Sequence, residues 1–121
     1  MNKQCEVVIN GKVFVPKDEL MKAEELEGMP YQIIRTYSAG VFAGYVESRN
    51  GQEAIIRKAR RLWYWDGAAS LSQLATEGTK KPENCKFPCE VDKLLVTQAI
   101  EFVDCTEKAR QSIKAVKIWQ M

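Results

Sequence analysis

Apolar and polar residues alternate along residues 31–65, and the alternation breaks at Ser38-Ala39-Gly40 and again at Asn50-Gly51. This predicts three antiparallel strands over 31–38, 41–48 and 53–65, because successive strand side chains face opposite sides and Gly or Asn supplies the turns. Two further runs, 91–96 and 99–103, predict two more strands. Near the start, residues 6–9 and 12–15 flank Asn10-Gly11, a strong hairpin signal because both residues tolerate positive φ. Pro16 then precedes a predicted acidic helix over 17–26, with Leu20, Met21, Ala23 and Leu26 near one face and Gly28 as its stop. Ser70 with Gln73 forms a capping box for a short helix over 71–77, ended by Gly78. Residues 104–107 repeat the capping pattern before a helix that places Ala109, Ile113 and Val116 toward the sheet, with Trp119 as a C-terminal anchor on the core or, alternatively, part of an intersubunit contact.

These elements predict an α+β fold, a small twisted antiparallel sheet or partial barrel with two short helices, preceded by an N-terminal hairpin and acidic helix. The boundary falls at Gly28-Met29-Pro30, read as a hinge: residues 1–30 form a hairpin-helix appendage and 31–121 the main domain.

With 121 residues, 45% of them hydrophobic, the chain suits one small core. Its net charge of +2 is too low for a generally basic nucleic-acid coat, so any anion site must come from local clustering. Such clustering exists: Asp18, Glu19, Glu24, Glu25 and Glu27 fall together, and the cations of 57–61 fall together. The complete lack of histidine removes Ser-His-Asp and Cys-His catalysis and all His-based metal sites. No Walker-type or dinucleotide-binding glycine loop occurs, so a non-catalytic binding protein without a cofactor is expected. Cys85 and Cys89 have loose metal spacing, but a zinc site would need Cys5, Cys105 or carboxylates as well, and thiols without metal are the simpler expectation. No apolar run reaches the roughly 20 residues of a membrane span, and no signal-peptide pattern opens the chain, so a soluble intracellular protein is expected.

The densest chemistry lies in residues 57–65, where Arg57, Lys58, Arg60 and Arg61 adjoin Trp63, Tyr64 and Trp65. Guanidinium groups bind phosphate through paired hydrogen bonds and indoles stack on bases, so the composition suits a nucleotide-like anion. Unbroken alternation would put Arg61, Trp63 and Trp65 on one face and Arg60, Leu62 and Tyr64 on the other. The competing reading buries one aromatic row in the core. Arg35 and Tyr37 share a face with Ile33 and complete the candidate ligand site of Arg35, Tyr37, Arg60, Arg61, Trp63 and Trp65. Gly40 and Gly44 mark either a turn and bulge or a close approach to a ligand or neighbouring chain.

In its order of motifs, Arg35-Thr-Tyr-Ser-Ala-Gly, Ser48-Arg-Asn-Gly, Ala59-Arg-Arg-Leu-Trp-Tyr-Trp, Gly67-Ala-Ala-Ser-Leu-Ser-Gln-Leu-Ala, Cys85-Lys-Phe and Cys105-Thr-Glu-Lys-Ala, the chain resembles a family of small bacteriophage-encoded proteins of unassigned activity. The resemblance covers residues 31–119. In size, sheet-plus-helix organisation and arginine-aromatic character it is also similar to phage sponge proteins that sequester cyclic nucleotide immune signals, including Thoeris anti-defence proteins. With these resemblances, the expectation is a homo-oligomer in the host cytoplasm that sequesters a nucleotide-like small molecule; the residues' own chemistry, not the resemblance, puts Arg35, Arg60 and Arg61 on phosphates and Trp63 or Trp65 on a base. The alternatives are a single-stranded nucleic-acid-binding module and a protein-binding inhibitor of a host factor.

Overall fold

The computed structural model describes residues 21–121, together with the strands of a short hairpin, β1 (Val7–Ile9) and β2 (Lys12–Phe14). These two strands pair antiparallel with Ile9 opposite Lys12, the register that a two-residue turn demands. Asn10 and Gly11 themselves, like residues 1–6 and 15–20, lie outside the described residues.

Five strands make the main antiparallel sheet: β3 (Tyr31–Thr36), β4 (Val41–Asn50), β5 (Glu53–Arg61), β6 (Glu90–Val96) and β7 (Ala99–Asp104), in the order β6-β5-β4-β3-β7. With helices α1 (Leu71–Glu77) and α2 (Glu107–Ala115), this is the α+β fold that the residue pattern predicts. Strands β6 and β7 occupy opposite edges, yet only Thr97 and Gln98 separate them in the chain. In a flat sheet those edges would stand about 19 Å apart. Three peptide steps reach only about 11 Å, so the sheet must curl. Gln98 O accepts from Tyr37 N, and Gln52 O from Ala99 N, both at 2.9 Å, which fastens the closed corner.

The curl divides the interior in two. Ile34, Phe42, Val46 and Ile56 fill its inner side together with Val96 and Ala99 from the two edge strands. On the other face Tyr31, Ile33, Ala43 and Tyr45 pack beneath Leu74 and Ala75 of α1 and Ala109 and Ile113 of α2. Helix α1 begins where its capping residue predicts, with Ser70 Oγ accepting from Gln73 N at 3.1 Å, whereas α2 is capped two residues later than the 104–107 pattern predicts: Asp104 ends β7 and Thr106 Oγ1 accepts from Ala109 N at 3.1 Å. Gly78 donates to Leu74 O and ends α1 at φ 76° and ψ −160°, a positive-φ conformation that favours glycine but is not the left-handed helical cap.

A β-bulge decides which way the arginines of β5 face. Ala43 pairs with Arg60 but Tyr45 with Arg57, so Lys58 and Ala59 together oppose Gly44, and Lys58 takes φ 51°. A β-carbon on Gly44 would stand 2.6 Å from Ile56 Cγ2, so only glycine admits this approach. Of the two readings of Gly44, the bulge is the one found. It keeps Ala59 on the same side as Ile56 and turns Arg60 under the end of α2. The alternation expected to run to residue 65 is also corrected, since β5 ends at Arg61.

Residues 21–26 form no helix, which overturns the described part of the helix expected over 17–26; residues 17–20 lie outside the described residues. Other partners claim the backbone: Ala23 N donates to Cys105 O at 2.9 Å, and Leu26 and Met29 exchange hydrogen bonds across Glu27 and Gly28, whose φ values are 52° and 82°. Gly28 therefore serves a tight turn. Ala23 is buried in the helix-side core, and Pro30 O accepts from Val46 N, so residues 21–30 are bound to the sheet. Glu107 strengthens that attachment by accepting from Glu24 N; its carboxylate, held chiefly by Arg110, has its pKa lowered to about 2. No helix among the described residues is long and apolar enough to cross a membrane.

Candidate functional site

Beyond β5 the chain runs extended beside residues 86–87. Lys86 N donates to Tyr64 O at 2.8 Å and Lys86 O accepts from Trp63 N at 3.1 Å. Phe87 in turn bridges Ile118 in parallel, and its carbonyl accepts from Trp119 N at 3.0 Å. Three extended pieces of chain thus lie side by side and form a ridge. Lys86 Nζ lies 5.9 Å from the centre of the Tyr64 ring and 5.7 Å from that of Trp119, within cation-π range of both. Tyr64 is 50% exposed and Trp119 41%, with Ile118 exposed beside them. Trp119 is therefore anchored by its backbone, and its ring stays outside the core where it was expected.

Arg60 holds the ridge from below. It is only 3% exposed, and its Nε donates to Pro88 O at 2.9 Å, its Nη1 to Ile113 O at 2.7 Å, and its Nη2 to Phe87 O at 3.0 Å and Val116 O at 2.7 Å. The last carbonyls of a helix lack helical donors and carry the negative end of its dipole, so a guanidinium under the end of α2 answers both. Burial pushes the Arg60 pKa below the ordinary arginine value, with Tyr31 and Glu90 opposing that shift. All three of its nitrogens are engaged inside the protein. Arg60, expected on a phosphate, instead fastens residues 87–88 to the C-terminal end of α2.

The other expected ligand residues are dispersed. Arg35, on the helix-side face of β3 with Ile33, donates from Nε to Glu101 Oε1 at 3.0 Å. Arg61 lies on the opposite face, its Cζ 4.4 Å from the centre of the Phe42 ring and its Nη1 bonded to Ala39 O at 2.5 Å. Tyr37, just after β3, is 78% exposed, and Trp63 is 64% exposed. Trp65 is half-buried against the helix-side core. The structure thus joins Arg61 to the turn that follows Tyr37, while Arg35 faces the other side of the sheet and Arg60 is buried. Reading the sequence missed Lys86 and Trp119 as surface partners of Tyr64, because isolated bridges between distant segments leave no periodic signal.

Beside the ridge, the segments on either side of α1 are drawn together around Asp66, whose carbonyl accepts from Thr79 Oγ1 at 2.5 Å. Asp66 accepts from Gly67 N at 2.8 Å and Asn84 Nδ2 at 3.0 Å, which hold its carboxyl below the usual range, Asn84 foremost. The buried Cys85 thiol lies 3.6 Å from each of Asp66 O, Thr79 Oγ1 and Lys81 O. Two open depressions flank Trp119. One, of about 430 Å³, is bounded by Tyr64, Asp66, Glu83 and Lys86, and the other, of about 420 Å³, by Pro82, Ala115, Lys117 and Ile118. Glu83 lines both. Cys85 and Cys105 are buried free thiols while Cys89 is exposed, and among the described residues no three cysteines or carboxylates gather as metal ligands.

Residues 29–113 match a family described as a domain of unknown function (DUF6948), and the chain belongs to that family. The match includes Arg60, Tyr64, Glu83 and Lys86, while Trp119 lies beyond its end. No curated protein and no solved structure matches the chain.

Proposed function

We propose that this member of the DUF6948 family is a non-catalytic binding protein that engages a protein partner through the ridge of Tyr64, Lys86 and Trp119. The observation that carries this reading is one ammonium set between two half-exposed rings, with Ile118 and carboxylates of Asp66 and Glu83 around it. Aromatic anchors in a surround of both charges match the make-up of protein interfaces. A surface for phosphates would concentrate cations, and the two carboxylates oppose that. The resemblance to phage-encoded proteins makes a host factor the partner of interest.

Sequestration of a nucleotide-like anion is the second reading, favoured by Arg61 stacked on Phe42 beside the turn of Tyr37. A small-ligand site buries most of its ligand, and Arg35 and Arg61 face opposite ways in one chain, so this reading requires a homo-oligomer that supplies the missing cations. Amide NMR spectra recorded with cyclic dinucleotides, cyclic trinucleotides, cyclic ADP-ribose isomers, oligodeoxythymidylate and display-selected peptides separate the two. The ridge reading predicts saturable shifts at Tyr64, Lys86 and the Trp119 indole with peptide alone. Saturable shifts with a cyclic nucleotide at Arg61 and Trp63, and none with peptide, would replace it with sequestration.

A further inference from the structure

Strand β7 lies at an edge of the sheet. β3 pairs with it on one side, and among the described residues its one backbone hydrogen bond outside the sheet runs from Ala99 N to Gln52 O. Beside that contact an open depression of about 420 Å³ separates residues 99–102 from the β4–β5 tip at Arg49, Gly51 and Gln52. Its lining includes Glu101, which stands opposite Arg35 on the helix-side face, and Phe102, which stands opposite Ile34 on the inner face. A hollow reached from both faces runs alongside the edge of the strand rather than over either face.

Arg49 and Glu101 are the charged residues of this lining. Glu101 is already engaged, since its Oε1 accepts from Arg35 Nε at 3.0 Å. Glu53 pairs with Asn50, one step from the pair of Arg49 and Ala54, and so projects from the other face. Asp104 lies two residues past the hollow and accepts from Gln32 Nε2 at 2.7 Å. Arg35, Arg57, Arg60, Arg61 and Arg110 each donate to an acceptor of the chain, but Arg49 has no hydrogen bond or ion pair among the described residues. Its Cζ rests 3.9 Å from the centre of the Phe102 ring, so the guanidinium is held in place with its donors unmet. The side-chain amide of Gln52, in the same lining, likewise has no hydrogen bond among the described residues.

We infer that the free edge of β7 takes an extended segment of a partner protein as a further strand, with an aspartate or glutamate of that segment on Arg49 and Gln52. The main chain of the segment gains the open edge, and its carboxylate accepts paired hydrogen bonds from the guanidinium. A free carboxylate would gain little from one exposed cation, so strand pairing supplies the affinity and Arg49 the choice of residue. A lysine or arginine in that place would meet the guanidinium and is disfavoured. This site shares no residue with the ridge and stands or falls without it.

A random peptide library displayed on phage and selected on the intact protein tests this, with synthetic copies then sorted on Trp119→Ala, Arg49→Glu and Arg49→Gln; Arg49 is exposed, so its exchange spares the core. One class of peptide should bind Trp119→Ala as tightly as wild type, carry Asp or Glu, and bind Arg49→Glu about tenfold more weakly, as like charges set against each other require. Exchange of its acid for Lys should restore binding to Arg49→Glu, and Arg49→Gln should lose less. Bound peptide should also slow hydrogen exchange at the β7 amides that are not bonded to β3. Absence of such a class, or a class indifferent to the sign of the charge at position 49, overturns the inference. Peptides that depend on Arg49 but leave exchange in β7 unchanged overturn it too, because they hold the guanidinium without pairing the strand.

Discussion

The chain sets a cation against aromatic rings in two neighbouring places and uses the pairing in opposite ways. Under α2, Arg60 lies 5.5 Å from the Phe87 ring centre, but its nitrogens are bound to four backbone carbonyls. On the ridge, Lys86 lies between Tyr64 and Trp119 with both rings open to solvent. The first arrangement is a fastening and the second a surface. Adjacency of cations and rings in a sequence therefore does not identify a binding site. Accounting for where the donors go does, because a guanidinium whose hydrogen bonds are met internally has none to offer a ligand.

Replacing Arg60 is the most severe way to test this contrast. Arg60→Met should lower stability by about 3 kcal/mol in a denaturant melt, because Pro88 O and Val116 O would be left without donors. A loss no larger than that of a surface exchange would show that the clamp contributes little. Gly44→Ala comes next, at about 2 kcal/mol, because its methyl group would press on Ile56 and the bulged strand. A smaller effect concerns acid. The Glu107 carboxyl, ordinarily near 4.5, is held down to about 2 chiefly by Arg110, so its contribution is whole above pH 4.5 and is lost as pH falls toward 2. Urea melts across that interval should show wild type losing more stability than Glu107→Gln, and parallel curves would remove the pair from the account. Lys86→Ala should change stability by no more than about 0.5 kcal/mol, as for a surface residue, while weakening a ridge-binding peptide; a large loss of stability would make Lys86 part of the core instead.

The fold was legible wherever a local rule governs it. Alternation marked β3 and β4, while Ser70 and Gly78 announced the ends of α1 through hydrogen bonds made within one turn; the start of α2 was read two residues early, because Asp104 stays in β7 and Thr106 takes the cap. Residues 21–26 misled because their helical spacing competes with a hydrogen bond from Ala23 to Cys105, eighty-two positions away, which no local pattern encodes. The arginine stretch was half legible. Arg60 and Leu62 do share a face, but the bulge at Lys58 and the end of β5 at Arg61 decide what that face meets. The ridge was hidden because Tyr64, Lys86 and Trp119 come from three segments joined by isolated bridges, each unremarkable in its own stretch.

The central claim is that the ridge is the main binding surface and that Arg35 and Arg61 are bystanders. Calorimetric titration of a display-selected peptide into wild type, Trp119→Ala and the Arg35→Ala, Arg61→Ala double variant tests it most directly. The account predicts about a tenfold loss for Trp119→Ala and an unchanged affinity for the double variant. Full affinity in Trp119→Ala together with loss in the double variant would contradict it.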